Sequence, residues 1–262
     1  MLNLPLVIAR KEILDTLRDV RSVVSSLLYA SMGPIVVGLV SVAVRADAKP
    51  QSSASPLAGM MSVFALVAAF AGGMNVAMDT VAGERERRSL LPLLLNPVRR
   101  LDFVIGKWLA VSFFAIAGLT VNLLGFAIVF AVSGMHTGGA WPHLLLAMVV
   151  GIFPLALLAG SLQLTISTAC RAVKEAQTYL SLVVFLPMVL GMFLVFFPGG
   201  VRSWHRFLPV VGQQLQLELL LKGRDVHLLQ PIVLGCLTTA LTILVLLVAA
   251  DRLQRDEIIY GN

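Results

Sequence analysis

Runs of about twenty apolar residues alternate with short polar stretches along most of this chain. A hydrocarbon core about 30 Å thick is crossed by roughly 20 helical residues, and six segments meet that length: Val23 to Val44, Leu57 to Met78, Trp108 to Val132, Leu144 to Ile166, Thr178 to Phe197 and Pro231 to Ala250. They predict an all-α membrane protein of six transmembrane helices, forming a single domain over 1–262. Ahead of them, Leu6, Ile13, Leu14, Leu17 and Val20 fall on one helical face and Lys11, Glu12, Asp15, Arg18 and Asp19 on the other. With Pro5 suited to a first turn, residues 1–22 predict an amphipathic helix lying in the membrane interface. This helix serves either as an elbow to a cytoplasmic partner or as a simple anchor. These mixed residues before the first apolar run do not make a cleavable signal.

The connections are unequal. RADAKPQSSASP joins spans one and two, and SGMHTGGAWPH joins spans three and four. Residues 198–230 are longer and too apolar for a loose loop, with Leu208, Val210, Val211, Leu215, Leu217, Leu219, Leu220 and Leu221 among them. They predict short re-entrant helices in the outer leaflet, where irregular backbone must be buried by protein.

Composition agrees with the pattern. Of 262 residues 58% are hydrophobic and 13% charged, half the charged share of a soluble domain. With the N-terminus inside, 14 of the 20 Lys and Arg residues fall on the cytoplasmic side, which sets both termini in the cytoplasm. The net charge of +6 is then a topology and lipid-headgroup signal, with no nucleic-acid partner required. Cys170 and Cys236 have neither disulfide nor zinc spacing and predict inert packing. The four histidines, His136, His143, His205 and His227, fall on the outer side without metal spacing.

One charged segment stands out, AGERERRSLLPLLLNPVRR, residues 82–100. Its paired charges beside leucines suit a docking surface for another protein, or a solvated topology anchor. Pro92 and Pro97 interrupt helix on either side of LLLN. Within the spans, Asn75 and Asp79 lie four apart with Thr80 adjacent, and their oxygens would suit a small cation. Equally, Asp79 can pair with a nearby arginine and Asn75 can bond a neighbouring helix. Asn122, Gln163, Thr165 and Ser167 carry the same two readings. Thr238, Thr239 and Thr242 are expected to bond their own backbone. An intramembrane enzyme would need a nucleophile and base at depth, yet no histidine lies in a span, and no catalytic residue is assigned. A secondary carrier would usually show paired repeats or spans broken in both halves, which are not evident here.

The stretch MDTVAGERERRSLLPLLLNPVRRLDFVIGKWLA resembles the cytoplasmic coupling segment of type-2 ABC exporter permeases, through Glu84, Glu86, Ser89, Leu93, Leu94, Pro97, Val98, Arg100, Gly106 and Lys107. AVKEAQTYLS, LPVVGQQLQLELLLKG and DRLQRDEIIYG resemble the NatB sodium-efflux branch, although this chain lacks that branch's large extracytoplasmic insert. Arg88 stands where the family pattern has glycine, and Leu91 where it commonly has glutamate. The resemblance implies a homodimer of six-span permeases in the bacterial plasma membrane, over two copies of a separate ATPase that binds ATP and Mg²⁺. This chain has no phosphate-binding loop, since Gly106-Lys107 is followed by Trp108. Glu84, Arg85, Glu86, Arg87, Arg88, Ser89 and Pro97, with Lys174 and Glu175, would then couple to the ATPase. Asn75, Asp79, Thr80, Asn122 and Gln163 would line the substrate path. The implied substrate is Na⁺, with a lipid, peptide or drug-like amphiphile as the alternative.

Overall fold

The computed structural model describes residues 3–46, 54–89, 99–133, 151–197, 199, 202–222, 224 and 229–253. The described residues are almost all helical, without a strand. Helix α1, Asn3–Arg18, carries Pro5 in its first turn. A break at Asp19 separates it from α2, Val20–Ala46. Asp19 caps α2 by accepting from the Arg21 N–H at 3.2 Å and the Ser22 hydroxyl at 2.5 Å. That hydroxyl holds the Asp19 carboxyl below the usual carboxylate range. Val20 therefore belongs to span one, and the N-terminal helix ends at Arg18, four residues before the end expected at 22.

Span two is α3, Ala54–Ala71, then a turn at Gly72 and Gly73, then α4, Met74–Ala77, a π-helical segment Met78–Gly83, and a last turn α5, Glu84–Glu86. Span three is α6, Arg100–Ser133. Span four is α7, Phe153–Ala169, whose expected beginning at Leu144 lies outside the described residues. Span five is α8, Val173–Phe196, and span six is α10, Leu229–Arg252. Between them lie a 3₁₀ turn, Ser203–Phe207, and α9, Val211–Leu221. Both fall in the segment where short helices were expected.

Five of these helices are long and apolar enough to cross a membrane, and α7 is a shorter apolar helix. Span two is largely enclosed, whereas α2 and α8 turn most of their surface outward. The sequence ALVAAFA explains the difference. Ala65, Ala68, Ala69 and Ala71 are buried, and small side chains let neighbouring helices approach closely in lipid, where no hydrophobic force drives helices together. Outward on α2 and α8 stand Val24, Leu28, Leu39, Phe185, Leu186 and Phe193, an apolar exterior fit for acyl chains.

The three threonines of span six behave as the sequence predicts, donating to Leu234, Gly235 and Thr238 carbonyls one turn back. The segment expected as 79–107 differs at both ends. Its first residues continue span two as π-helix and α-helix, and its last eight already belong to α6. Charged residues mark the end of a span in a hydropathy reading. Here two of them, Glu84 and Lys107, are neutralised by each other inside the bundle.

Candidate functional site

The neutralisation centres on Lys107. Its side chain is fully buried, with Nζ 2.8 Å from Glu84 Oε2, 3.1 Å from Glu12 Oε1 and donating to the Thr80 carbonyl at 2.5 Å. The Phe103 ring lies 4.9 Å away beneath the cation, a favourable cation–π placement. A buried ammonium is tolerated only when paired and hydrogen-bonded, and all three partners come from different elements. Glu12 is on α1, Glu84 on α5 at the foot of span two, and Thr80 on the π-helical segment. Lys11 adds a longer contact, 4.0 Å from Glu84.

Gly106 makes this meeting possible. A Cβ there would lie 2.7 Å from Ile8 Cβ and 2.9 Å from the Pro5 carbonyl, so only glycine lets α1 press against the start of α6. The charged face of α1 is thus partly turned into the protein through Glu12, while Leu6, Leu14 and Leu17 remain exposed. Ile13 sits between these faces, packed against the cluster of Val76, Val111 and Phe114. Sequence reasoning passed over Lys107 and Glu12 as site residues. The available signal was a lysine flanked by Gly106 and Trp108 in an otherwise apolar helix.

The next charges staple the second loop. Arg85 donates to the Cys170 carbonyl at 2.8 Å and the Thr168 carbonyl at 3.0 Å, at the C-terminus of α7. Glu86 accepts from the Val173 N–H at 2.8 Å, the first residue of α8. Cation at a helix C-terminus and anion at an N-terminus are the signs that the helix dipoles favour. Ser167 reinforces the joint, its hydroxyl accepting from the Ala82 N–H at 3.2 Å. Glu175 accepts from the Arg171 N–H at 2.8 Å, while Lys174 is exposed. Cys170 is buried here, and burial pushes its thiol pKa up.

The end of α5 is a left-handed cap. Arg88 has φ 56°, its N–H donates to the Arg85 carbonyl at 3.0 Å, and the Ser89 N–H reaches back to the Glu84 carbonyl at 2.9 Å. This is the Schellman arrangement, whose left-handed position is usually glycine. Arg88 thus occupies a position where glycine is conformationally favoured. Glu86, Arg87, Arg88 and Ser89 form an exposed tip. Pro97 lies outside the described residues.

Beside the tip is a cavity of about 430 Å³ between α1, α2 and the foot of span two. Its walls include Glu12, Asp15, Asp19, Asp79 and Glu84, against Lys11 and Arg87. Asn75 and Thr80 also line it. Asp79 accepts from Arg87 at 2.5 Å on the cavity rim, where both side chains are more than half exposed. Asn75 donates to Ser25 Oγ at 2.7 Å and Ser26 Oγ at 3.3 Å, tying α4 to α2.

Asn122 and Gln163 lie elsewhere. Asn122 donates to the Ala30 carbonyl at 2.8 Å, and Gln163 donates to the Phe70 carbonyl near the Gly72–Gly73 turn. Each crosses from one helix to another in the buried bundle, as amides in membrane proteins commonly do. The structure therefore gathers Asn75, Asp79 and Thr80 into one place and leaves Asn122 and Gln163 apart from it.

Two comparisons bear on this architecture. A family model described as ABC-2 family transporter protein matches residues 6–222. Over 159 residues the chain is 38% identical to the ABC transporter permease protein NatB of Bacillus subtilis (strain 168), a match covering 58% of this chain and 41% of that relative. The matched stretch thus spans about two fifths of the relative's length. The family match takes in most of α1, the Lys107 cluster, the exposed tip and α9 alike, and on that breadth the chain belongs to the ABC-2 family of transporter proteins.

Proposed function

We propose that the chain is the permease subunit of an ATP-driven exporter, working as a dimer over two copies of a separate ATPase that supplies the ATP and Mg²⁺ site. The observation that carries this reading is the Lys107 cluster. It joins the N-terminal helix, the foot of span two and the start of span three through one buried cation. A force applied by an ATPase at the exposed tip, Glu86 to Ser89, would reach three elements together. The Arg85 and Glu86 staple would carry the same force into α7 and α8. Packed elements of this kind switch between discrete arrangements, because close-packed interiors do not deform continuously.

The substrate we favour is Na⁺, admitted from the cytoplasm through the cavity whose walls hold five carboxylates against two cations. Such a lining concentrates small cations by its field, and the oxygens of Asn75, Asp79 and Thr80 are hard ligands of the right kind. An amphiphilic lipid, peptide or drug-like substrate is the second reading, favoured by the short connection of about a dozen residues between spans one and two.

The test is ATP-driven uptake of radioactive sodium into sealed inside-out vesicles holding the permease and its ATPase. Asp79→Asn should raise the sodium concentration giving half-maximal transport. It should leave stability within about 1 kcal/mol, since an exposed ion pair contributes little. Arg88→Glu leaves the backbone strain as it is and reverses only the charge of the tip, so it should reduce ATPase coupling. No sodium movement from a complex that hydrolyses ATP and moves a fluorescent amphiphile would overturn the sodium assignment.

A further inference from the structure

Span two breaks halfway through the bundle. Gly72 and Gly73 interrupt it between α3 and α4, midway along an apolar stretch that runs from Leu57 to Glu86. A helix interrupted at membrane depth must find other partners for its freed backbone groups. Gln163 of α7 meets one of them, donating its amide nitrogen to the Phe70 carbonyl. That leaves Gln163 Oε1, which is fully buried and has no hydrogen-bond partner.

A second unpartnered oxygen lies on α6. Ser112 is 2% exposed, and its hydroxyl oxygen makes no hydrogen bond. Ser62 and Ser161, buried in the same bundle, donate to carbonyls three residues back along their own helices, the usual local solution for a hydroxyl in a helix. Ser112 instead faces Gly160 of α7, with Oγ 2.7 Å from the point that a Cβ there would take. Gln163 follows Gly160 by three residues, so the two share one face of α7. Gly73 closes the group from span two. The point that its Cβ would take lies 2.8 Å from the Val111 carbonyl oxygen and 3.1 Å from Gln163 Oε1. Oxygens of Val111, Ser112 and Gln163 thus collect where span two, α6 and α7 meet, and glycine at 73 and 160 keeps side-chain carbon away from them.

Unpartnered oxygens at membrane depth are costly unless something satisfies them. Hard oxygen ligands suit small hard cations, and interrupted helices bind ions at the centre of other membrane proteins. These three oxygens are all neutral, whereas divalent ions are bound through carboxylates, so a single charge fits them better. We propose that the break in span two is a binding site for a monovalent cation, held by Gln163 Oε1, Ser112 Oγ and the Val111 carbonyl. The site lies deeper in the bundle than the cavity at Asn75 and Asp79, and it rests on the sodium reading for the choice of ion.

The experiment is equilibrium binding of radioactive sodium to the purified full chain in lipid nanodiscs, without ATPase and at an ionic strength fixed with choline. An Asp79→Asn background weakens binding in the cavity, so the saturable binding that remains reports the deeper site. Adding Ser112→Ala deletes an oxygen that holds no hydrogen bond. It should raise the dissociation constant about tenfold, the loss of one contact to a charged group, and the protein should melt with its parent. Gln163→Met should abolish the binding. If that variant fails to fold, because the Phe70 carbonyl loses its donor, Ser112→Ala decides alone. Absence of saturable binding in the Asp79→Asn background would overturn the site, and the cavity reading would stand if the unsubstituted chain still bound sodium. Binding that Ser112→Ala leaves unchanged would overturn it as well. Ser112-dependent binding in a chain whose ATPase complex moves no sodium would support the site and defeat the transport reading.

Discussion

The Lys107 ammonium lies 2.8 Å from Glu84 Oε2, which makes a charge read as part of a cytoplasmic docking surface the partner of a lysine enclosed by the bundle. Glu12 completes the cluster from α1 at 3.1 Å. Removing one partner of a buried ion pair costs about 3–5 kcal/mol, whereas replacing the whole set by apolar groups is often neutral. Lys107→Met alone should therefore lower thermal stability by several kcal/mol, since two carboxylates lose their cation. The triple variant Glu12→Gln, Glu84→Gln, Lys107→Met should recover most of that loss. If the cluster transmits force, the recovered protein should still show uncoupled ATP hydrolysis. Melting curves with ATPase and transport assays on the same preparations separate the two effects.

Arg88 offers a test of a single backbone angle. With φ 56° at the end of α5, it occupies a position that glycine adopts without steric penalty. Arg88→Gly should stabilise the protein by about 0.5–1 kcal/mol, and Arg88→Ala should not. Thermal unfolding of the three proteins side by side checks this. A destabilised glycine variant would show that the arginine side chain contributes more than its backbone costs.

Cys170 reports on the Arg85 staple. Its thiol is buried and its pKa is held above the ordinary value by that burial. The thiolate is the reactive form, so alkylation at neutral pH should be slow and should accelerate about tenfold per pH unit, continuing past the pH where a free thiol levels off. Arg85→Ala deprives the Thr168 and Cys170 carbonyls of their donor. It should raise labelling of Cys170 at pH 7.5 severalfold by opening access, while the acceleration stays at high pH, because the lost cation was favouring the thiolate. Mass spectrometry of the labelled peptide, after Cys236→Ser, measures both.

Apolar run length and alternating polar breaks were enough to read an all-helical chain of several apolar spans, a short helix ahead of them and helical pieces before the last, because lipid forces every backbone group to be satisfied within its own helix. The threonines of span six were equally legible, since their bonds are local. The family, too, was readable from motifs along one chain. Which charges face outward was not. Arg87 takes the nearby pairing with Asp79 that the sequence offered, but Glu84 turns to Lys107, and Arg85 and Glu86 close the loop between α7 and α8. Those partners are distant in sequence, and the π-helical turn at Met78–Gly83 shifts the helical register that would otherwise predict each direction. A strained turn ahead of α9, with Val210 at φ 73°, was hidden for the same reason. No local preference places a valine at positive φ. It is held there by contacts beyond its own turn, among them Gln213, which accepts from the Val210 N–H and donates to Thr238.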